Sequence, residues 1–448
     1  MKNILFSVVA LFLSLALLIS GSAMLGTLIS LRLSIVGMSS TAIGIILACY
    51  SLGFVLGTIY GVNIIRTVGH IRSFAVYAAV ACAATLLHPL IDGVIGWALM
   101  RLAIGYCLAG LMTVTESWIN DRATADTRGK ILGIYTVNFY LASSIGQLVV
   151  GLNDPLNFVA YSLVAVLIVM SLVPLALTRG LIPTPPAATD ALRLRQLLKD
   201  APSGMTGVVV SGLALSAFVA LAPLYAASNG LPISTISVYM SFSIACAIAL
   251  QWPAGWLSDK VGRLPVLTGL LFGGALMASI AAVLGGYSVV ILFLFSGAFF
   301  AIAASVYPVS VALANDQLPN DQLVAACASL LRTYGLGSML GPLLGGMLMQ
   351  LFGAPSLFIF VALAFLAAGA AVHYVFRPRD KVPLAEQGEY VTVNPISTPV
   401  LTEIDPRNEE FEQHHPGEPA DWDVADKLEM LIPQDETSTR AQDDDNLS

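Results

Sequence analysis

Apolar residues run in blocks of roughly 20 along nearly the whole chain, broken by short polar, glycine or proline stretches. A helix rising about 1.5 Å per residue needs a block of that length to cross a ~30 Å hydrocarbon core. The breaks predict twelve helices, near 4–30, 41–64, 73–91, 94–118, 131–151, 157–177, 204–227, 234–256, 265–285, 287–313, 324–350 and 355–376. The stretch from Thr178 to Ser203, with Pro183, Pro185, Pro186 and several charges, is the long internal connection and divides the helices six and six. The expected fold is an all-α membrane protein of two pseudo-symmetric six-helix bundles, residues 1–178 and 204–376, joined by a linker at 179–203. Residues 377–448, acidic and poor in apolar side chains, read as a disordered tail. Within it, Trp422, Ala425, Leu428 and Leu431 have the spacing of a short amphipathic helix.

Composition agrees: the 448 residues are 57% hydrophobic and 11% charged, where soluble domains carry about 25% charged residues. The net charge of −7 conceals an asymmetry, because residues 377–448 hold 18 of the 28 acidic and 6 of the 21 basic residues, leaving +5 on the remainder. Fifteen cations fall on the connections of one side, and Arg32 alone falls on the other. The positive-inside rule then places both termini in the cytoplasm of a bacterial inner (plasma) membrane. The first apolar run continues to about Leu31, too long for the core of a signal peptide, and is read as a span.

The two halves repeat. Sliding the chain by 195 residues pairs Asn120-Asp121 with Asn315-Asp316, Gly146 with Gly341 and Gly151 with Gly346; a slide of 194 pairs Gly61 with Gly255. Parallel repeats of this kind occur in transporters that bind substrate near the bilayer midplane and rock one half against the other.

After the eighth predicted span the chain reads Gly255-Trp256-Leu257-Ser258-Asp259-Lys260-Val261-Gly262-Arg263. This resembles the G-x-x-x-D-[RK]-x-G-[RK] motif of the major facilitator superfamily, and the resemblance covers residues 1–376. It implies the superfamily's twelve-helix fold and a drug- or metabolite-type transport function. Gly255, Asp259, Lys260, Gly262 and Arg263 are then candidates for a conformational latch, a carboxylate beside cations that pairs with the other half in one state. Asp121 and Arg128, an acidic residue and six others before Arg-Gly, match a second family element. The first-half copy of the motif keeps Arg66, Gly69 and Arg72 but has no aspartate.

Arg101 to Gly105 is similar to an R-x-x-x-G element that the family associates with proton coupling. An arginine inside a span costs about 2.5–3.5 kcal/mol on insertion scales, so it is expected to face a cavity or a partner. Gly337 to Gly346 follows a G-x-x-x-G-P-x-x-G-G pattern that family antiporters carry in span five. Here it lies in span eleven, where small residues also serve close helix packing. Glu116, the one carboxylate placed inside a span, is the proton-carrier candidate together with Arg101; the competing reading pairs it with Arg122 or Arg66 at the interface. Arg332 is read either as an anion-binding group or as snorkelling to the membrane surface. Asn138, Tyr140, Gln147, Tyr307 and Tyr334 are read either as substrate contacts or as hydrogen bonds between helices.

The function these features predict is a secondary active transporter, proton-coupled, moving a small organic solute by alternating access. The rival is a membrane receptor or scaffold that signals through the acidic tail. No phosphate-binding Gly-rich loop, carboxylate dyad or activated nucleophile is present, so an ATP-driven pump and an enzyme are disfavoured. The five cysteines sit at no metal-ligand spacing. The expected partners are the lipid bilayer, a small-molecule substrate and protons, with no nucleic acid, metal or cofactor; a monomer is the expected unit.

Overall fold

A computed structural model describes residues 2–121, 123, 127–177, 192–319, 322–376, 382–383, 387–388, 390–394, 397–398 and 400–401. Its long helices are α1 (Lys2–Ile35), α2 (Ser40–Val68), α3 (His70–Leu87), α4 (Val94–Asp121), α5 (Arg128–Val150) and α6 (Phe158–Met170) in the first half. The second half has α7 (Pro202–Ser228), α8 (Ile233–Val261), α9 (Arg263–Leu284), α10 (Val289–Asn315), α11 (Leu323–Phe352) and α12 (Ser356–Ala370). Short turns, Leu172–Ala176 and Ala371–Phe376, extend α6 and α12, and a short helix at Leu194–Asp200 leads into α7. Among the described residues, eleven helices are individually long and apolar enough to span a membrane. The twelfth, α5, carries Asn138, Ser143, Ser144 and Gln147 and is held between α1 and α8.

Several helices outrun the hydropathy breaks. Helix α1 continues to Ile35, so Arg32 is helical, and α8 continues to Val261, so the motif from Gly255 to Val261 forms its last turns. A polar end of a helix loses apolar character where it leaves the hydrocarbon but keeps its backbone hydrogen bonds, so a hydropathy break and a helix end need not coincide. Gly69 and Gly262 end α2 and α8 in equivalent positions, with φ of +84° and +97°. Those dihedrals suit glycine, and both allow the following helix to start at once.

The repeat seen in the sequence is a repeat of contacts. A Cβ on Gly146 would strike the Ser20 carbonyl on α1, and one on Gly341 would strike the Leu213 carbonyl on α7, the equivalent helix of the second half. Likewise Gly151 abuts Ser237 on α8, and Gly346 abuts Ser40 on α2. The first pair packs each bundle internally, and the second packs one bundle on the other.

The face that carries the 36–39, 151–157, 229–232 and 353–355 connections is here called distal; the opposite face, with the short helix at Leu194–Asp200 and the 262 turn, is proximal. Toward the distal face the halves are closed along α2–α11, α5–α8 and α1–α7. Ser40 N donates to Gln350 Oε1 at 3.1 Å, Ser237 Oγ to the Gln147 carbonyl at 2.7 Å and Ser30 Oγ to the Ala220 carbonyl at 2.8 Å.

Toward the proximal face, the cleft between the halves holds part of the segment read from sequence as a disordered tail. Val391, Val393, Asn394, Ser397, Thr398, Val400 and Leu401 are all buried there. The physical reason is local: residues 390–401 are richer in apolar and hydroxyl side chains than the acidic sequence after them, and composition averaged over residues 377–448 hides this. The predicted amphipathic helix near Trp422 lies outside the described residues.

Candidate functional site

A cavity of about 190 Å³ lies at the seam of the two halves, walled by α1, α2, α4 and α5 on one side and α7, α8, α10 and α11 on the other. Its wall is mostly apolar and aromatic, including Phe54, Phe139, Leu215 and Phe300, with hydroxyls from Ser22, Ser143, Ser216 and Ser338. Among the described lining residues Arg101 is the charged one.

Arg101 stands where it does because of the glycine four residues on. A Cβ at Gly105 would collide with the Tyr50 carbonyl, and one at Gly53 with the Leu102 carbonyl, so these glycines let α2 and α4 touch backbone to backbone. That approach sets the Arg101 guanidinium 4.4 Å from the Tyr50 ring centroid, a cation–π contact. Arg101 is 5% exposed, and its Nε has no hydrogen-bond partner among the described residues. A buried guanidinium without a carboxylate can accept an anionic or π-rich group from a guest.

The other sequence candidates separate into distinct places. Tyr140, Gln147 and Tyr334 line the cavity. Gln147 also ties α5 to α1, accepting from Thr27 Oγ1 at 2.7 Å and donating to the Ala23 carbonyl at 3.1 Å. Tyr140 accepts from Gln251 Nε2 at 3.4 Å. Asn138 is outside the lining and donates to the Phe12 carbonyl at 3.2 Å, a bond between helices. Tyr307 packs edge-on against Tyr334 at 5.2 Å between centroids and does not itself line the cavity. Arg332, half-buried, also lies outside the lining: Leu331, Tyr334, Gly335 and Ser338 take the inward face of α11.

Glu116 is fully buried on α4 but sits two turns beyond Leu108, outside the cavity lining. Tyr135 donates its hydroxyl to Glu116 Oε1 at 2.5 Å, and Thr398 donates its backbone N–H to Oε2 at 2.7 Å. The Thr398 hydroxyl donates to the same Oε2.

Of the latch candidates, Arg263 pairs through Nε with Asp316 Oδ2 at 2.6 Å, an ion pair within the second half, with both side chains at most 2% exposed. Lys260 sits 4.1 Å from the Trp256 ring centroid. Gly262 makes the turn, Gly255 faces the ring of Tyr390, and Asp259 lies between them on the last turn of α8. Asp121 ends α4 and Arg128 begins α5 on the same proximal face.

Sequence reasoning missed Tyr50, Asp316 as the partner of Arg263, and Thr398. Asp316 had a signal, since it is the repeat counterpart of Asp121; Thr398 had one in the apolar and hydroxyl composition of residues 390–401, and Tyr50 had none.

The family model described as Major Facilitator Superfamily matches residues 11–249 and 204–408. The chain belongs to the Major Facilitator Superfamily. Among its relatives, an uncharacterized MFS-type transporter YcaD from Escherichia fergusonii is 32% identical over 351 residues, covering 78% of this chain and 90% of the relative. The YcaD of Salmonella enteritidis PT4 is 30% identical over 357 residues, 79% of this chain and 92% of the relative. Solved superfamily folds superpose over most of the chain. A bacterial homolog to the human lysosomal transporter Spinster, inward-facing and occupied, gives a TM-score of 0.70 at 15% identity and covers 85% of this chain and 99% of that one. The nucleoside transporter NupG gives 0.67 at 14% identity, covering 84% and 100%. This is thus a multi-pass membrane protein of a bacterial transporter family with the twelve-helix superfamily fold.

Proposed function

We propose that the chain is a secondary active transporter that carries a small organic solute across the bacterial inner membrane by alternating access, with both termini cytoplasmic. The observation that carries this reading is the cavity itself. It lies at the seam, takes its wall from both halves, and is sealed toward the distal face by contacts between small residues. The sequence count of fifteen cations on one side's connections against Arg32 on the other supports a cytoplasmic proximal face, where the described Arg66, Arg72, Lys260 and Arg263 lie. The state described is then closed on the outer side.

The cavity chemistry favours a solute with an apolar or aromatic body and one anionic group. An apolar wall offers such a body burial at about 25 cal/mol per Å², and Arg101 answers the charge. Protons are the proposed coupling ion, with Glu116 as carrier and Arg101 as the group at the substrate. The monomer is sufficient for this cycle, since both halves of the cavity come from one chain.

The test uses inside-out vesicles with an acid interior, a pH-sensitive dye, and a panel of neutral and anionic amphipathic solutes. An anionic solute that dissipates the gradient with the wild type, and fails with Glu116→Gln, supports proton exchange through Glu116. Equal dissipation by both proteins removes Glu116 from the coupling step. Gradient-independent accumulation of the same solute replaces coupled transport with facilitated transport.

A further inference from the structure

The described residues from Gln387 to Leu401 run into the proximal cleft, and none of them is exposed. Three fixtures hold this strand. Arg263 donates to the Gly388 carbonyl, and Asp316 Oδ1 accepts the Gly388 N–H at 3.3 Å, so the buried ion pair holds both main-chain polar groups of one residue. The Tyr390 ring lies over Gly255, where a Cβ would collide with it. On the opposite bundle, Glu116 Oε2 accepts the N–H and the hydroxyl of Thr398. Between and beyond these fixtures Val391, Val393 and Leu401 join the apolar core.

The first fixture recognises main chain alone, the second takes an aromatic ring, and the third takes one main-chain N–H and one hydroxyl. The motif residues Gly255 and Arg263 are both committed to this strand, and the strand reaches from the second bundle at Gly388 to the first at Thr398. Tyr390 and Thr398 thus contact α8 and α4, two helices that also wall the cavity.

We propose that the proximal cleft is a peptide-binding site for a segment of apolar, hydroxyl and aromatic side chains that turns at 394–397 and 398–401. Its resident ligand is the chain's own segment 387–401, and while seated it closes the way from the proximal side to the central cavity. The segment also ties the halves together, so the reverse rocking motion requires its release.

The test needs no knowledge of the solute. Hydrogen exchange is followed by mass spectrometry on the full-length protein in lipid nanodiscs, beside a synthetic peptide of residues 387–401. The strand amides are expected to exchange at least about tenfold more slowly in the protein than in the free peptide. Thr398→Pro, which removes both donors to Glu116, is expected to recover most of that factor while α8 and α9 exchange as before. Gly255→Leu is expected to do the same from the other side of the contact.

In a background with the five native cysteines replaced by alanine, Ser143→Cys reports access to the cavity. A bulky, membrane-impermeant maleimide should label it several-fold faster when Thr398→Pro is added. Free-peptide exchange rates in the wild-type strand would overturn the site, and equal labelling with and without Thr398→Pro would overturn its role as a plug.

Discussion

Thr398 donates its backbone N–H to Glu116 Oε2 at 2.7 Å across 282 residues of sequence, joining the segment after α12 to the proximal end of α4 in the first bundle. Tyr135 supplies a donor to the other oxygen of the same carboxylate. Glu116 therefore meets hydrogen-bond donors on both oxygens, all from neutral groups, which is how a buried carboxylate is tolerated in a membrane bundle.

Removing one donor leaves part of that carboxylate unsatisfied. Tyr135→Phe is expected to cost about 1–3 kcal/mol, and to lower the midpoint of thermal unfolding of the detergent-purified protein. Glu116→Gln should cost less, since the amide oxygen still accepts. An unchanged midpoint in Tyr135→Phe would mean that water replaces the tyrosine hydroxyl.

Arg101 and Tyr50 form the second relationship with a measurable consequence. Tyr50→Phe keeps the ring beneath the guanidinium and is expected to bind an anionic amphipathic solute nearly as well as wild type. Tyr50→Leu removes a contact worth about 0.5–2 kcal/mol, so roughly two- to thirtyfold weaker binding is expected. Arg101→Gln should abolish discrimination between the anion and its neutral amide analogue, read by competition against a fluorescent anion.

Gly105 and Gly133 separate packing from helix propensity. A methyl at Gly105 meets the Tyr50 carbonyl, and Gly105→Ala is expected to destabilise by about 1–3 kcal/mol, with loss of the cavity geometry around Arg101. Nothing lies within 4 Å of a Cβ at Gly133. There alanine is expected to be neutral or stabilising by up to about 1 kcal/mol. The comparison is made by thermal unfolding of the two variants side by side.

Ser40 and Gln350 test the distal closure. Cysteines at both positions, in the cysteine-free background, should be joined by a short bis-methanethiosulfonate crosslinker, which spans the reach of the replaced glutamine side chain. Flux of any transported solute should fall to background and return on reduction. Full flux through the crosslinked protein would show that the distal contacts need not open.

The helix count, the six-and-six division and the parallel repeat were legible because a span announces itself by length and hydropathy, signals that need no tertiary information. Gly146 and Gly341 were readable as repeat partners because each must let a neighbouring backbone approach, and only glycine leaves that mark at both positions. The facing of polar side chains was not legible. Asn138 and Tyr140 are two residues apart on α5, yet one bridges to α1 and the other lines the cavity, a distinction made by the rotational setting of the packed helix. Arg332 and Tyr334 on α11 divide in the same way. The strand near Thr398 was hidden for a different reason: its burial depends on a cleft built by elements hundreds of residues earlier, and its own composition is averaged away by the acidic sequence after it.

Chains are inserted from the amino terminus onward, so all twelve helices have been synthesised before residues 387–401 emerge. The cleft between the bundles must therefore form unfilled, with the Arg263–Asp316 pair and Glu116 awaiting their main-chain partners. A nascent protein passes through an interval in which it is fully threaded yet unplugged, and that interval ends only once residues 387–401 have followed the last helix.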